Sequence, residues 1–109
     1  MDSTPIQQPG LERTLESMDA AAEDAAAVLK TLANPQRLRL LCALLEQERS
    51  VGELEEALGC TQPYASGQLA RLRAEGLVEA SRDGRTVRYR LSDPRIIPIL
   101  ERLYEVFCP

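Results

Sequence analysis

The stretch Thr61–Leu91 constrains the fold of this chain more than any other part of it, because it predicts a helix followed by a β-hairpin. Thr61 can cap the helix, apolar residues recur inside it at helical spacing, and Gly76 supplies the stop. Later residues alternate between apolar and polar, which is the period of a half-buried strand. Asp83 and Gly84 form a strong signal for a two-residue hairpin turn, since both positions of such a turn need a positive φ.

The polar residues of this stretch indicate a surface that reads DNA. Gln62, Ser66 and Gln68 in the helix carry short hydrogen-bonding groups suited to base edges or phosphates, and Arg82 and Arg85 lie at the hairpin. We therefore expect a mainly α fold with a small β-hairpin wing, a winged helix-turn-helix that binds double-stranded operator DNA. The alternative is a winged-helix module that binds another protein, but such a module has no need of two arginines at its hairpin.

The charge distribution supports this interpretation although the total charge does not. The net charge of −4 is unusual for a protein that binds nucleic acid. Residues 61–95, however, contain seven arginines against four acidic residues, whereas residues 1–60 contain five basic and eleven acidic residues. The sequence thus predicts one basic surface on an acidic body.

The remaining residues divide into a tail and a single domain. Residues 1–10, which contain two prolines and a glycine, are expected to be a flexible tail, and residues 11–109 to form the DNA-binding and dimerisation domain. From Leu11 to Leu32 apolar residues recur every three or four positions, which predicts a long amphipathic helix.

Two shorter helices are predicted to follow. Asn34 and Pro35 mark the start of the second, which is expected to reach about Leu45. Ser50 and Glu53 fit a capping box for the third helix, which ends at Gly59. The predicted buried face of the second helix comprises Leu38, Leu41, Cys42 and Leu45.

The last predicted helix opens at Asp93-Pro94, and Pro98 should kink it or delay its first full turn. The first and last helices carry more apolar surface than so small a domain can cover alone. We therefore expect a homodimer formed through these two helices, which would also suit a palindromic operator.

Several functional classes are disfavoured by the composition. No apolar run is long enough to span a bilayer, and no segment resembles a signal peptide, so we expect a cytoplasmic protein without a membrane partner. The absence of histidine removes His-dependent catalysis and weakens any zinc site. We expect no catalytic residue, no enzyme activity and no cofactor. A sulfurtransferase is disfavoured because the chain lacks a Cys-x-x-Cys motif and an obvious base near a thiol.

Residues 29–107 resemble the ArsR/SmtB family of repressors, and this resemblance covers most of the chain. The matching motifs are LANPQRLRLL, VGELEEALG, QLARLRAEGLV and the wing GRTVRYRL. The resemblance implies a homodimeric winged helix whose operator binding is weakened by an inducer, with the DNA-facing residues named above. Pro63, Tyr64 and Gly67 depart from the small polar residues usual in the family, so the resemblance does not define the operator.

The resemblance also bears on the inducer. Metal-sensing members place a cysteine near the position of Ser50, or aspartates and histidines in the last helix, and this chain has neither pattern. We expect no metal site. Cys42 and Cys108 instead match the sulfide- and persulfide-sensing branch, in which persulfide joins two thiols of one subunit through a polysulfide bridge and the repressor releases DNA.

Other interpretations of the three cysteines remain open. From the residues alone, Cys42 is a small buried hydrophobe and Cys108 a terminal residue without a role. Cys60 has no counterpart in the cysteine pattern of the branch, and we interpret it as an adventitious thiol. A repressor of the same fold that responds to peroxide or arsenite is the main alternative inducer hypothesis.

Overall fold

The computed structural model describes residues 14–108, which form five helices and a three-stranded antiparallel sheet. The chain divides into two compact units, Met1–Thr31 and Leu32–Pro109. In chain order the elements are α1 (Leu15–Leu32), α2 (Pro35–Glu46), β1 (Arg49–Ser50), α3 (Val51–Leu58), α4 (Gln62–Ala74), β2 (Val78–Asp83), β3 (Thr86–Leu91) and α5 (Ile96–Phe107). The predicted helix-turn-helix followed by a hairpin wing is therefore confirmed.

Helix α1 accounts for the described part of the first unit. It begins after Thr14, whose hydroxyl accepts a hydrogen bond from the backbone N–H of Ser17 at 2.9 Å. Among its apolar residues, Leu15, Met18 and Leu29 are exposed, whereas Leu32 at its end is buried. The predicted tail, residues 1–10, and the predicted helix start at Leu11 lie outside the described residues.

Helix α2 starts where the sequence predicts, but its buried face differs in part from the predicted one. The side chain of Asn34 accepts from the backbone N–H of Arg37 at 3.1 Å, and Pro35 takes the first helical position. The buried side chains of α2 are Leu40, Leu41 and Leu44.

The predicted face of α2 is therefore wrong in part. Leu38, Cys42 and Leu45 are only half-buried. The apolar residues of α2 extend around much of the helix, so periodicity alone does not distinguish the face that meets the core from its neighbour.

Helices α3 and α4 form the helix-turn-helix pair with the predicted caps. Ser50 and Glu53 make both hydrogen bonds of a capping box at the start of α3. Gly59, with a φ of 65°, ends α3 in the left-handed conformation that glycine adopts most easily. Thr61 then caps α4 by accepting from the backbone N–H of Tyr64.

The end of α4 sets the direction in which the chain enters the wing. Gly76 has a φ of 78°, its N–H donates to the carbonyl of Arg73, and the N–H of Leu77 donates to the carbonyl of Leu72. This pair of bonds is a Schellman motif, which satisfies carbonyls that the helix leaves unpaired. Leu77 and Val78 are buried directly after it.

The sheet has the order β1-β3-β2, so the last strand is central. Strand β1 pairs with β3 through Arg49 opposite Tyr89 and Ser50 opposite Arg88. Strand β1 is not predictable from the sequence, because two residues are too few to display an alternating pattern.

The hairpin turn lies one residue later than predicted. Asp83 pairs with Thr86, so Gly84 and Arg85 form the turn rather than Asp83 and Gly84. Gly84 has a φ of 65°, and no residue other than glycine between positions 14 and 108 has a positive φ. A glycine at the first central position is the requirement of a II′ turn, which leaves the second position open to other residues.

Helix α5 begins at Ile96, later than the predicted start at Asp93-Pro94. Asp93 instead accepts hydrogen bonds from the backbone N–H of Arg95 and from its guanidinium. Pro98 falls in the first turn, where backbone N–H groups have no helical partner in any case. The predicted delay of the first turn is thus confirmed.

The core of the second unit joins residues from helices α2 to α5 and from the start of β2. Its fully buried large side chains are Leu40, Leu41, Leu54, Leu69, Leu72, Val78, Ile96 and Leu100. Between residues 14 and 108 no helix combines the length and apolar character needed to cross a membrane.

The capping box of α3 gives a test of the local structure. Replacing Ser50 with alanine should lower the free energy of unfolding by about 0.5–2 kcal/mol, because the N–H of Glu53 loses its acceptor. Urea denaturation followed by circular dichroism measures this change. The matched control is Ser81→Ala in β2, whose side chain is exposed. Equal effects of the two substitutions would contradict the capping role.

Candidate functional site

The outward face of α4 is defined by the residues that the helix buries. Ala65, Leu69 and Leu72 are all fully buried, as predicted, and Gln62 is exposed because it is the first residue of the helix. Its Nε2 group donates a hydrogen bond to the Ser66 hydroxyl at 2.8 Å. This bond orients two polar groups next to each other on the surface of α4.

Gln68 lies in a different environment from the other two polar residues predicted to face DNA. It is half-buried, and its Oε1 atom is buried with no hydrogen-bond partner among residues 14–108. A buried carbonyl oxygen without a partner costs free energy, so a donor from outside the chain would improve its environment. The structure thus joins Gln62 to Ser66 by a hydrogen bond and leaves the Oε1 atom of Gln68 buried without a partner.

The wing carries its two predicted arginines on the surface. Arg82 lies near the end of β2 and Arg85 in the turn itself, and both are exposed. Neither takes part in an ion pair within the described part of the chain. Their charges are therefore available to a negatively charged ligand.

The other wing arginines are held by acidic residues of the chain. Arg88 lies 3.2 Å from Glu53 and also donates to the backbone carbonyl of Glu48. Arg90 pairs with Glu79 and lies 3.6 Å from Glu48. These contacts join β3 to the start of α3 and to β2.

The predicted charge balance of this region therefore needs correction. Arg88, Arg90 and Arg95 are matched by acidic residues, two of which, Glu48 and Glu53, belong to the part of the sequence counted as the acidic body. The available positive charge is provided by two exposed pairs: Arg71 and Arg73 in the last turn of α4, and Arg82 and Arg85 in the wing. Arg71 and Arg73 are part of the predicted charge count, but they are not among the residues predicted to contact DNA.

Glu53 serves both the helix cap and the wing contact. Hydrogen bonding to the backbone N–H of Ser50 is the main reason that the pKa of Glu53 is lowered, and the charge of Arg88 lowers it further. The same carboxylate thus fixes the start of α3 and contacts β3. This contact positions the wing relative to the helix-turn-helix.

A second site lies between α2 and α5, where two of the three thiols line one cleft of about 410 Å³. Its lining residues are Leu38, Arg39, Cys42, Leu103, Tyr104, Phe107 and Cys108. Cys42 is half-buried and Cys108 is exposed, and all cysteines are unpaired. The structure therefore brings together the two residues predicted to form a thiol site, although they are far apart in sequence.

The environment of Cys42 raises the pKa of its thiol. Burial raises the pKa of Cys42, a hydrogen bond with the Tyr104 hydroxyl lowers it, and the neighbouring Cys108 raises it again, with a net upward shift. Tyr104 is not among the residues predicted for the thiol site. The available signal was its spacing, since a residue four positions before Cys108 in a helix lies on the same face.

Cys60 stands apart from this cleft. It follows Gly59 in the turn between α3 and α4, is half-buried and does not line the cleft. Between residues 14 and 108, no three cysteine, aspartate or glutamate side chains cluster in a way that could hold a metal ion.

Comparison with known proteins gives consistent matches. The family described as "Bacterial regulatory protein, arsR family" matches residues 34–80. A Biofilm growth-associated repressor from Agrobacterium fabrum is 43% identical over 108 residues, which cover 96% of this chain and 92% of that protein. The match thus extends well beyond the helix-turn-helix.

Solved structures show the same similarity. The crystal structure of the transcriptional repressor BigR from Xylella fastidiosa has a TM-score of 0.83 and 43% identity, covering 89% of this chain and 99% of that one. A homodimeric winged helix-turn-helix DNA-binding domain from Mycobacterium bovis, solved by NMR, has a TM-score of 0.69 and 33% identity, covering 91% and 89% of the two chains.

The raised pKa of Cys42 leads to a prediction about thiol reactivity. Alkylation by iodoacetamide requires the thiolate, so the rate at Cys42 should rise with pH around a midpoint above that of an ordinary cysteine thiol. Peptide mapping by mass spectrometry after timed alkylation measures the rates at Cys42 and the exposed Cys108 separately. A midpoint for Cys42 at or below the ordinary value would contradict the role of burial.

Proposed function

Since the chain belongs to the ArsR family of bacterial regulatory proteins, we propose that it is a cytoplasmic, homodimeric transcriptional repressor whose DNA binding responds to persulfide. In this proposal the protein binds double-stranded operator DNA and releases it when persulfide or polysulfide links Cys42 to Cys108. The family is one of regulators rather than enzymes. The observation that carries the choice of effector is the shared cleft of the two thiols.

The DNA-binding part of the proposal is supported by the geometry of α4 and the wing. Gln62 and Ser66 form a hydrogen-bonded pair in the first turns of α4, where base edges in a major groove are within reach of such groups. Arg82 and Arg85 carry charge without an internal partner and suit phosphate contacts. We assign Gln68 to the same surface, where its side chain turns outward on binding so that Oε1, buried and unpaired in the free protein, accepts a donor from a base.

The proposed homodimer is supported by exposed apolar side chains on two helices. On α1 these are Leu15, Met18 and Leu29, and on α5 they are Val106 and Phe107. Single exposed hydrophobic residues are common on protein surfaces. Several of them on the same helix, as on α1 and on α5, indicate a surface that a partner covers. A relative solved as a homodimer adds support, and a dimer would place two copies of α4 on two half-sites of a palindrome.

The proposed thiol chemistry needs only a sulfane-sulfur donor RSSH and the two thiols. A thiolate attacks the outer sulfur of RSSH, which forms a protein persulfide and releases the donor as RSH. A second RSSH then adds one more sulfur to this persulfide in the same way and also leaves as RSH. The other thiolate then attacks the sulfur next to the end of that chain and expels HS⁻. Two donors thus give a bridge containing one inserted sulfur, two RSH and one H₂S, and no separate oxidant is required.

The proposed coupling to DNA is mechanical. A bridge would tie α2 to α5, and α5 carries part of the proposed dimer surface. Two recognition helices reach successive major grooves only when they lie about 34–36 Å apart. A small change at the dimer surface therefore suffices to lose one half-site.

A persulfide assay tests the thiol switch. Treating the reduced protein with an organic persulfide should add sulfur atoms with loss of two hydrogens, and peptide mapping should place the link between Cys42 and Cys108. DNA release should follow in a fluorescence anisotropy assay with the promoter of its own gene. Cys42→Ser should abolish both responses, because one end of the bridge is missing.

The matched control for this assay is Cys60→Ser, which removes a thiol outside the cleft and should respond like the parent protein. Peroxide and arsenite are tested in the same assay. Release by either of these without release by persulfide would overturn the choice of effector, while an unmodified Cys42–Cys108 pair after persulfide treatment would overturn the switch.

Substitutions in the wing and in α4 should have different effects on DNA binding. Arg85→Ala should weaken binding to all sequences and reduce the salt dependence of the affinity by about one counterion. Gln62→Ala should instead alter sequence preference, losing about 1–3 kcal/mol of discrimination at one base pair. Titrations at several salt concentrations with operator variants measure both effects, and the same effect of the two substitutions on every sequence would contradict the assignment.

A further inference from the structure

Cys42 lacks the features that usually favour a thiolate. It lies inside α2, eight positions after Asn34, so it is remote from the helix N-terminus, where the dipole stabilises a negative charge. It is half-buried in a mainly apolar cleft, and desolvation disfavours the thiolate there. A reactive Cys42 therefore needs a hydrogen-bond donor from within the cleft.

Few ionisable groups face Cys42 from the elements around it. Helix α2 contributes Arg39, and helix α5 contributes Tyr104 and Cys108. Glu46 at the end of α2 is close enough for its charge to act on Tyr104. Arg39 and Tyr104 carry N–H and O–H donors, which stabilise a thiolate more strongly than the weak S–H donor of Cys108.

Arg39 is already engaged away from the thiol. Its Nη1 group donates to the Gln36 side chain at 3.1 Å, and its Nη2 group donates to the backbone carbonyl of Leu58 at 3.4 Å. These bonds hold the guanidinium between the first turn of α2 and the end of α3. Tyr104 is thus the remaining donor for Cys42.

We propose that Tyr104 is a positioning residue of the thiol site: its phenol hydroxyl donates a hydrogen bond to the Cys42 sulfur and holds that sulfur beside Cys108. Tyr104 and Cys108 are one helical turn apart on α5, so a single face of α5 presents both the donor and the second thiol to α2. The hydrogen bond stabilises the thiolate of Cys42 against desolvation. This inference deepens the proposed switch and rests on it only for its biological role.

The reciprocal pKa shifts of the two residues fit this arrangement. The hydrogen bond lowers the pKa of Cys42, as a donor to a thiolate must. The pKa of Tyr104 is raised, first by burial and then by the charge and hydrogen bond of Cys42. A tyrosine that gave up its proton would lose that bond and face a second negative charge.

The test uses a background with Cys60→Ser and Cys108→Ser, in which Cys42 is the single thiol. The rate of alkylation of Cys42 by iodoacetamide is measured against pH with and without Tyr104→Phe. Removing one hydrogen bond should move the midpoint upward and reduce the rate below the midpoint about two- to tenfold. The matched control is Tyr89→Phe, since Tyr89 is half-buried in β3 and does not line the cleft.

The outcomes separate the two proposals. An upward shift with Tyr104→Phe and none with Tyr89→Phe supports the positioning role, provided that circular dichroism shows an unchanged fold. An unchanged or lowered midpoint with Tyr104→Phe overturns it. The alkylation assay uses neither persulfide nor DNA, so absence of a persulfide bridge in the parent protein would overturn the switch and leave this result standing.

Discussion

Burial of one stripe of α4 is the constraint on which the rest of the structure depends. Ala65, Leu69 and Leu72 have no exposed surface, so the helix has one rotation about its axis in which its apolar atoms leave water. That rotation turns Gly67 and Ala70 toward solvent, while Gln62 is exposed at the first position of the helix and Ser66 is half-buried. The Schellman motif at Gly76 follows directly, sends Leu77 and Val78 back into the core and starts the wing.

The distribution of charge shows how an acidic protein can present a basic surface. The chain neutralises the arginines nearest the base of the wing with Glu48, Glu53 and Glu79, and it leaves those at the tip without internal partners. Because Glu53 is also part of the α3 capping box, the orientation of the wing and the start of α3 share one carboxylate. The positive charge that a ligand meets thus sits on a structure held by internal ion pairs.

The thiol site depends on a different pair of elements from the DNA-facing surface. Cys42 and Cys108 line a cleft between α2 and α5, whereas the polar groups proposed to meet DNA lie on α4 and the wing. A chemical change in the cleft therefore reaches DNA only through the helices that connect them or through a dimer partner. Tyr104 and Phe107 both line this cleft, and both are exposed together with Val106, so the cleft and the exposed apolar surface of α5 adjoin each other.

The sequence by itself determined the order of helices and hairpin, the caps at Asn34, Ser50 and Thr61, and the buried stripe of α4, because these depend on contacts between residues close in sequence. Only the tertiary structure decided which face of α2 is buried, the pairing of β1 with β3, and which arginines keep their charge available, since each depends on partners distant in the chain. The hairpin turn was only partly predictable. The sequence predicts a turn that contains Gly84, but the register of β2 on β3 decides that Gly84 and Arg85 form it. For the same reason, the sequence could name Cys42 and Cys108 by resemblance, while Tyr104 emerged only when α5 was placed against α2.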